Sequence, residues 1–281
     1  MKLGIFWFPT AAGPEPGPFG ALVEELGFES LWVAEHTHIP VERTSPWPGG
    51  AELPREYLET FDPLLTLTAV AAATTELRLG TGVTVIVERD PITLAKELAT
   101  LDVLSGGRLE VGVGAGWNLE EMENHGTDPN TRFRLMRERV EAMRAIWTEE
   151  EASYHGRLVD FDPLWSWPKP VQKPGPRIHI AGAAPGALRR VIAYGDGWIP
   201  LPGRGASDFG ALATELRQAA TEAGRDGDAL QVSVAKAPAD AETLRRYAAG
   251  GVDRALLWVP AGPAEETLAA LHAHAELARS L

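Results

Sequence analysis

The sequence predicts one (β/α)8 TIM barrel, an α/β fold, formed by residues 1–281. Short β-rich runs alternate with helical segments from end to end. Several of the runs are apolar on both faces, as parallel strands are when helices cover them. Strict alternation of strands and helices implies a parallel sheet with right-handed crossovers. An open doubly wound sheet shows the same alternation. Eight strand–helix units in 281 residues favour closure into a barrel.

The eight predicted strands share an apolar core between turn-forming residues. They are residues 2–8, 30–35, 77–85, 108–114, 177–182, 197–201, 230–236 and 253–259. The predicted helices between them are residues 18–26, 62–74, 91–104, 133–148, 186–194, 207–223, 240–249 and 264–279.

Local signals support the helix assignments. In residues 133–148, Met136, Val140, Met143 and Trp147 recur at spacings of three and four, which predicts one buried stripe. Asp62 and Asp90 each precede a proline, which places a capping carboxylate before the first helical position. Gly224 and Gly250 fit helix ends.

Three connections are too long to be simple turns. Residues 36–61 follow the second strand and residues 115–132 follow the fourth. Both therefore leave carboxyl ends of strands and should overhang the mouth of the barrel, where barrel enzymes carry their chemistry. Residues 149–176 precede the fifth strand, so they should lie at the other end as a proline-stiffened structural segment.

Composition limits the function classes. Hydrophobic residues make up 44% and charged residues 23%, which is typical of a globular protein. The net charge of −13 would repel nucleic acid and anionic membranes, so neither is an expected partner. No apolar run reaches the roughly 18 residues that a membrane helix needs. The absence of cysteine excludes disulfides and thiolate chemistry, and we expect a cytoplasmic enzyme with a small-molecule substrate.

Titratable residues follow the second predicted strand. Glu35 and His36 at a barrel mouth are candidates for general acid or base catalysis. His36 and His38 are two residues apart, so on an extended strand they would share a face and could bind a metal. No further ligand set is evident, so we predict no metal site. A hydrogen-bonded glutamate beside a solvated histidine is the structural alternative.

Glycines close the fourth predicted strand, in the run that contains Gly112, Gly114, Ala115, Gly116 and Asn118. Alternate glycines remove side chains from one strand face and let backbone approach a flat ligand. The run is not a dinucleotide fingerprint, which would need glycine at position 117, where this chain has tryptophan. Tight packing around small residues is the alternative.

A second group of small residues, Gly182, Ala183 and Ala184, joins the fifth strand to a helix, with Arg189 and Arg190 one turn further on. Free N–H groups at a helix amino terminus form an anion site. A phosphate site and an ordinary tight turn both remain open.

Other barrel chemistries fit poorly. A glycosidase needs two carboxylates facing each other across the mouth, and neither the fourth nor the seventh strand ends in one. A Schiff-base enzyme needs a desolvated lysine. Lys236 is the only lysine near a strand end, and we expect it to be solvated or ion-paired.

Seven short motifs follow one another along the chain. They are Leu-Trp-Val-Ala-Glu-His (31–36), Leu-Gly-Thr-Gly-Val (79–83), the glycine-rich segment 99–117, His-Gly-Arg-Leu-Val-Asp-Phe (155–161), Pro-Lys-Pro-Val-Gln (168–172), Ile-Ala-Gly (180–182) and Gly-Asp-Gly-Trp (195–198). In this order they resemble the bacterial-luciferase-like superfamily and, within it, the deazaflavin-dependent (coenzyme F-420) oxidoreductases. The resemblance implies a TIM barrel, a homodimer, and a deazaflavin or FMN at the mouth.

The resemblance also implies roles for individual residues. Glu35 and His36 match the acid–histidine pair beside the cofactor ring. Gly82 and Val83 match a strand-three bulge that backs the ring, and we predict a cis peptide between them. The strand-four ligand loop of the family is matched by Gly114, Ala115, Gly116 and Asn118. Its phosphate loop is matched by Gly182, Ala183 and Ala184.

One departure from the pattern concerns the substrate. The sugar-phosphate dehydrogenases of the superfamily carry a catalytic glutamate where this chain has Trp117. We therefore expect an apolar or aromatic substrate under the 36–61 loop rather than glucose 6-phosphate. Hydride transfer with F-420, FMN-dependent monooxygenation and a catalytically silent ligand-binding barrel remain the alternatives.

Overall fold

The computed structural model describes residues 1–50, 52–203 and 208–281. Eight parallel strands close into a barrel in the order β1-β10-β9-β8-β7-β4-β3-β2. Their bounds are β1 (Lys2–Trp7), β2 (Ser30–Val33), β3 (Arg78–Val85), β4 (Leu109–Gly114), β7 (Arg177–Ala181), β8 (Gly197–Ile199), β9 (Gln231–Ala237) and β10 (Arg254–Trp258). The predicted TIM barrel is confirmed.

Helices surround the barrel and follow its strands. They are α1 (Pro16–Glu25), α2 (Glu56–Glu59), α3 (Pro63–Ala73), α4 (Pro91–Leu104), α5 (Leu119–Asn124), α6 (Arg132–Thr148), α7 (Gly186–Tyr194), α8 (Phe209–Glu222), α9 (Ala241–Ala249) and α10 (Ala264–Arg279). Residue 207, where the helix 207–223 was predicted to begin, lies outside the described residues.

The local helix signals act as predicted. Asp62 accepts hydrogen bonds from the N–H groups of Leu64 and Leu65, and Asp90 accepts one from Thr93. On α6 the predicted stripe is buried, with Met136, Val140, Met143 and Trp147 each no more than 2% exposed. Among the described residues, no helix is both long enough and apolar enough to cross a bilayer.

Residues 149–176 contain a structure that the sequence analysis did not predict. Two strands, β5 (Ala152–His155) and β6 (Asp160–Leu164), form an antiparallel hairpin against α6. The segment that follows reaches the amino end of the barrel, where Gln172 donates to Asp102 and to the Leu109 carbonyl oxygen. The predicted structural role is consistent with these contacts. Pro168, Pro170, Pro174 and Pro176 all follow the hairpin, whereas Pro163 lies within β6.

The amino-terminal half of the barrel interior holds a buried charge cluster. Glu110 accepts hydrogen bonds from His179 Nε2 and from Arg78 Nε, both at 2.6 Å. Burial by itself would raise the pKa of Glu110, because it disfavours the charged carboxylate. The hydrogen bond from His179 and the charges of Arg254 and Arg78 nevertheless lower its pKa to about 2. These side chains fill this end of the barrel, so the opposite end is left for the cavity.

Candidate active site

A cavity of about 520 Å³ opens at the carboxyl ends of the barrel strands. That volume lies within the range of about 300–1,000 Å³ that is common for small-molecule and cofactor sites. Ten of the eleven predicted site residues line it: Glu35, His36, Gly82, Val83, Gly114, Ala115, Gly116, Gly182, Ala183 and Ala184. Asn118 does not line the cavity. It is 1% exposed, and neither polar atom of its side chain has a hydrogen-bond partner among the described residues.

One wall of the cavity is a bulge in β3 that packs against β4. The Gly82–Val83 peptide is cis, as predicted, and the pairing register between β3 and β4 shifts across this point. A Cβ atom at Gly114 would lie 2.7 Å from Val83 Cγ2. The glycine therefore makes room for the bulge of β3 as well as lining the cavity, so close packing accounts for part of the glycine pattern.

His36 lies in the cavity wall just beyond the end of β2. Its Nδ1 is 2.8 Å from Glu121 Oε2, and the His36 and Glu121 side chains are 7% and 1% exposed. Trp117 Nε1–H donates to His36 Nε2 at 3.3 Å. In this state Nε2 carries no proton, so the neutral ring carries its proton on Nδ1 and donates it to Glu121. The pair resembles the carboxylate–imidazole unit of general acid–base sites.

Both carboxylate oxygens of Glu35 accept hydrogen bonds from neighbouring groups. Its Oε1 accepts from Arg89 Nε, and its Oε2 accepts from the Val85 N–H, both at 2.6 Å. Burial raises the pKa of Glu35, although Arg89 and the Val85 N–H both favour the ionised form. The carboxylate ties the end of β2 to the end of β3, so its position supports a structural role beside the cavity.

His38 is separated from His36 because β2 ends at Val33, two residues before its predicted end, and the chain turns. His38 Nδ1 contacts Thr37 Oγ1, and its Nε2 contacts the Asn124 amide. The shared face predicted for the two histidines was therefore wrong. The described residues contain no group of three or more His, Cys, Asp or Glu side chains that could hold a metal ion.

The loop between β7 and α7 forms another side of the cavity. Gly182 has φ +127°, a backbone conformation that favours glycine. Neither the Ala183 nor the Ala184 N–H donates to an acceptor within the described residues. The Arg190 guanidinium lies beside this loop, since a Cβ atom at Gly182 would be 3.4 Å from its Nη2.

Arg190 has no acidic partner among the described residues. It packs 4.4 Å above the Phe133 ring, and its Nε is buried without a hydrogen bond. Burial lowers the pKa of this guanidinium. Arg189, its neighbour in the sequence, does not line the cavity. Free amides beside an unpaired cation form a site for an anion.

The two long mouth loops are joined to each other. Glu120 Oε1 accepts hydrogen bonds from the Thr44 N–H at 2.6 Å and the Ser45 N–H at 3.2 Å. Thr37 Oγ1 also contacts His125 Nε2 at 2.7 Å. These bonds join Thr37, Thr44 and Ser45 of the first loop to the loop that follows β4, which supports the predicted place of the two loops at the mouth.

A family model described as luciferase-like monooxygenase matches residues 17–280 of the chain. The chain belongs to the luciferase-like monooxygenase family. An uncharacterised protein of Mycobacterium tuberculosis is 42% identical over 272 residues, which are 96% of this chain and 95% of that protein. An F-420-dependent hydroxymycolic acid dehydrogenase of the same organism is 32% identical over 242 residues, 82% of this chain and 62% of that protein.

Solved structures of similar shape include both dehydrogenases and monooxygenases. A monooxygenase from Streptomyces bottropensis superimposes with a TM-score of 0.78 at 25% identity, covering 100% of this chain and 99% of that one. An F-420-dependent secondary alcohol dehydrogenase gives a TM-score of 0.75 at 20% identity, covering 99% and 98%. At this identity, the similarity to the secondary alcohol dehydrogenase shows the fold alone.

This luciferase-like barrel also contains site residues that the sequence analysis missed. Glu121 is one, and nothing in the Glu120–Glu121 pair indicates which carboxylate faces His36. Tyr57 is another, with its ring centroid 5.1 Å from that of His36. Of the two expectations for Lys236, the ion pair is not present. Lys236 is partly exposed and lines the cavity at φ 49°, with no hydrogen bond or ion pair to any described residue.

Aromatic rings surround the Lys236 ammonium, whose Nζ lies 4.9 Å from the Phe8 ring centroid and 5.5 Å from that of Trp258. Burial lowers the pKa of Lys236. A signal for this position was present in the sequence, since Lys236 follows the apolar run of the seventh barrel strand. Only the folded barrel partly buries Lys236 and brings the rings of Phe6, Phe8 and Trp258 around it.

Proposed function

We propose that this chain is an oxidoreductase that uses coenzyme F-420 for hydride transfer, from the reduced cofactor to a small organic substrate or from such a substrate to the oxidised cofactor. The observation that carries the proposal is one cavity with two polar sides. The buried His36–Glu121 pair is on one side, and the 182–184 loop with unpaired Arg190 is on the other. Strands β3 and β4 separate the two sides in the barrel order.

The residues present fit a phosphate-bearing flavin or deazaflavin. The free amides of Ala183 and Ala184 and the unpaired Arg190 suit a phosphate, which would also compensate the buried guanidinium. Between the polar sides, Phe6, Val83, Ile199, Ala235 and other small or apolar residues line the cavity and suit a flat ring. A reduced deazaflavin bound there would supply the hydride.

His36 is suited to supply the accompanying proton. Hydride addition to an unsaturated acceptor leaves negative charge that a proton must neutralise. Buried Glu121 stabilises the protonated ring from its Nδ1 side. Protonation at Nε2 turns the contact with Trp117 Nε1–H into one between two donors, so the Nε2 proton must be directed to another acceptor in the cavity.

Lys236 and the mouth loops complete the proposed reaction site. The Lys236 ammonium lacks a carboxylate partner within the described residues, so it would attract negative charge that develops on a substrate oxygen. The joined loops bring Tyr57 and Trp117 over the cavity, where they exclude water. These rings support the expectation of an apolar or aromatic substrate.

FMN-dependent monooxygenation is the second candidate. The similarity to the Streptomyces bottropensis monooxygenase favours it, because that match covers the whole of this chain. A catalytically silent barrel would bind a ligand but show no turnover with either reduced cofactor. The F-420-dependent relatives at 29% and 32% identity support the first candidate.

The deciding experiment is to titrate the apoprotein with F-420 and with FMN separately, following cofactor fluorescence. We expect F-420 to bind at least tenfold more tightly. Replacing Ala183, which is exposed at the loop, with aspartate should weaken binding at least tenfold, about 1.4 kcal/mol, because it sets like charge against the phosphate. Tight FMN binding with no F-420 binding would overturn the proposal.

We also propose that the chain forms a homodimer through its barrel helices. Light scattering at micromolar concentration should give twice the monomer mass of 30.3 kDa. A monomeric mass under these conditions would contradict it.

A further inference from the structure

Lys236 lies near the carboxyl end of β9, in the wall of the main cavity. In the barrel order, β9 and β3 are four positions apart, so Lys236 is across the mouth from the Gly82–Val83 bulge. The flat ring of the proposed cofactor would rest on that bulge, which leaves its other face toward Lys236. His36 follows β2, which β1 and β10 separate from β9. Lys236 therefore belongs to the substrate side of the cavity, at a different place from the proposed proton donor.

The Lys236 ammonium keeps its hydrogen-bond donors for a ligand. It forms no hydrogen bond or ion pair with any described residue. The charge of Glu56, on α2, favours the ammonium, but the two side chains form no ion pair. Its Nζ instead lies 4.9 Å, 5.5 Å and 5.9 Å from the ring centroids of Phe8, Trp258 and Phe6. Ring faces attract a cation without taking up the three N–H donors as an anion would.

The surroundings of Lys236 indicate which anion suits it. Phe6, Phe8 and Ala235 belong to a hydrophobic cluster that is distinct from the main core. Arg190 lies beside the loop after β7, two strands from β9 in the barrel order, where it faces the proposed phosphate. One cation in an apolar wall matches a single negative charge on an apolar body. A carboxylate fits this better than a phosphate, which carries nearly two charges at neutral pH and offers more acceptor oxygens.

We propose that Lys236 binds a carboxylate that the substrate carries apart from its reacting carbon, so that the substrates of this chain are small apolar or aromatic carboxylates. The inference rests on the proposed function and extends it, because it names the class of substrate. An ammonium that is unpaired before the reaction attracts a fixed charge on the bound substrate as well as charge that develops later. Pairing with a carboxylate would also compensate the partial burial of the cation.

The test compares two ligands of similar size, phenylacetate and its neutral amide phenylacetamide. Both are titrated by calorimetry into the full chain loaded with F-420, so that the cofactor occupies the 182–184 loop and Arg190. We expect phenylacetate to bind at least tenfold more tightly than the amide. Lys236→Met should abolish this preference and leave the affinity for the amide unchanged. Lys236→Arg should retain part of the preference, because it keeps the positive charge.

Lys173→Met, at an exposed position outside the cavity, is the matched control and should change neither affinity. Far-UV circular dichroism checks that each variant is folded. Equal binding of the two ligands by the parent protein, or no binding of phenylacetate, would overturn the inference and leave the proposed function intact. A preference for phenylacetate that survives in Lys236→Met would also overturn it, because the anion would then bind elsewhere.

An equal loss of both affinities in Lys236→Met would overturn the inference as well, since Lys236 would then act by packing rather than by charge. If F-420 does not bind, the proposed function fails. The same comparison is then made on the apoprotein carrying Arg190→Gln, which removes the arginine that lines the cavity. Loss of the phenylacetate preference on adding Lys236→Met to that protein would still support the carboxylate site, and an unchanged preference would overturn it.

Discussion

Glu88 provides a sharp test of the electrostatics beside the site. It ends the short 3-10 helix Ile86–Glu88 that follows β3. Both of its carboxyl oxygens are buried and have no hydrogen-bond partner among the described residues. Burial, and then the nearby charges of Glu121 and Glu35, raise the pKa of Glu88 to about 9. The folded protein therefore keeps this carboxyl protonated at neutral pH.

The raised pKa makes the free energy of unfolding depend on pH. Between the ordinary pKa of 4.5 and about 9, the folded state binds this proton and the unfolded state does not. Stability from this group therefore falls as pH rises through that window, by about 1.4 kcal/mol per pH unit. Between pH 6 and 8 the loss is about 2.7 kcal/mol, worked from the same slope.

Glu88→Gln keeps the shape of the side chain and removes its ionisation. We expect the unfolding free energy of this variant, relative to the parent protein, to rise by about 2–3 kcal/mol from pH 6 to pH 8. Urea unfolding followed by tryptophan fluorescence at pH 6, 7 and 8 measures the difference. Glu265→Gln, at an exposed position on α10, is the control and should leave the slope unchanged. Parallel pH dependences for Glu88→Gln and the parent would refute a neutral, buried Glu88.

The catalytic assignments lead to further expected outcomes. His36→Ala should lower turnover by about 10² or more with little change in cofactor affinity, and Glu121→Gln should lower turnover in the same direction. Loss of cofactor binding instead of turnover in His36→Ala would make His36 a ring contact. Lys236→Met should raise the free energy of unfolding by about 1 kcal/mol, because it removes a buried charge, while it lowers turnover. A thermal melt below that of the parent would contradict this account of Lys236.

The local pattern was sufficient to predict several parts of the site. Gly82, Val83, Gly114 and the 182–184 loop were identified from glycine spacing, strand ends and the motif order, and the structure brings them to one cavity. Such signals are short-range, because a glycine or a strand end constrains only its own backbone. They do not show which distant side chain will complete the site.

Partners distant in the sequence account for what was missed. Glu121 reaches His36 across 85 positions, and Arg89 reaches Glu35 across 54. The contact from Arg89, together with that from the Val85 N–H, occupies both carboxylate oxygens of Glu35 and joins the end of β2 to the end of β3. The sequence also did not show which of the adjacent residues Arg189 and Arg190 faces the cavity. A helix turns about 100° per residue, and only Arg190 lines the main cavity.

The sequence by itself determined the barrel class, the capped helices and the carboxyl-end location of the site, because each follows from backbone propensity and from hydrophobic periodicity. Only the tertiary structure decided which polar groups became paired and which were left free. Glu35 is paired with Arg89, whereas Lys236 and Arg190 are partly buried with no ion pair among the described residues, and the buried carboxyl oxygens of Glu88 have no hydrogen-bond partner there. Desolvation and pairing depend on chain segments that meet only when the barrel closes, so no local pattern encodes them.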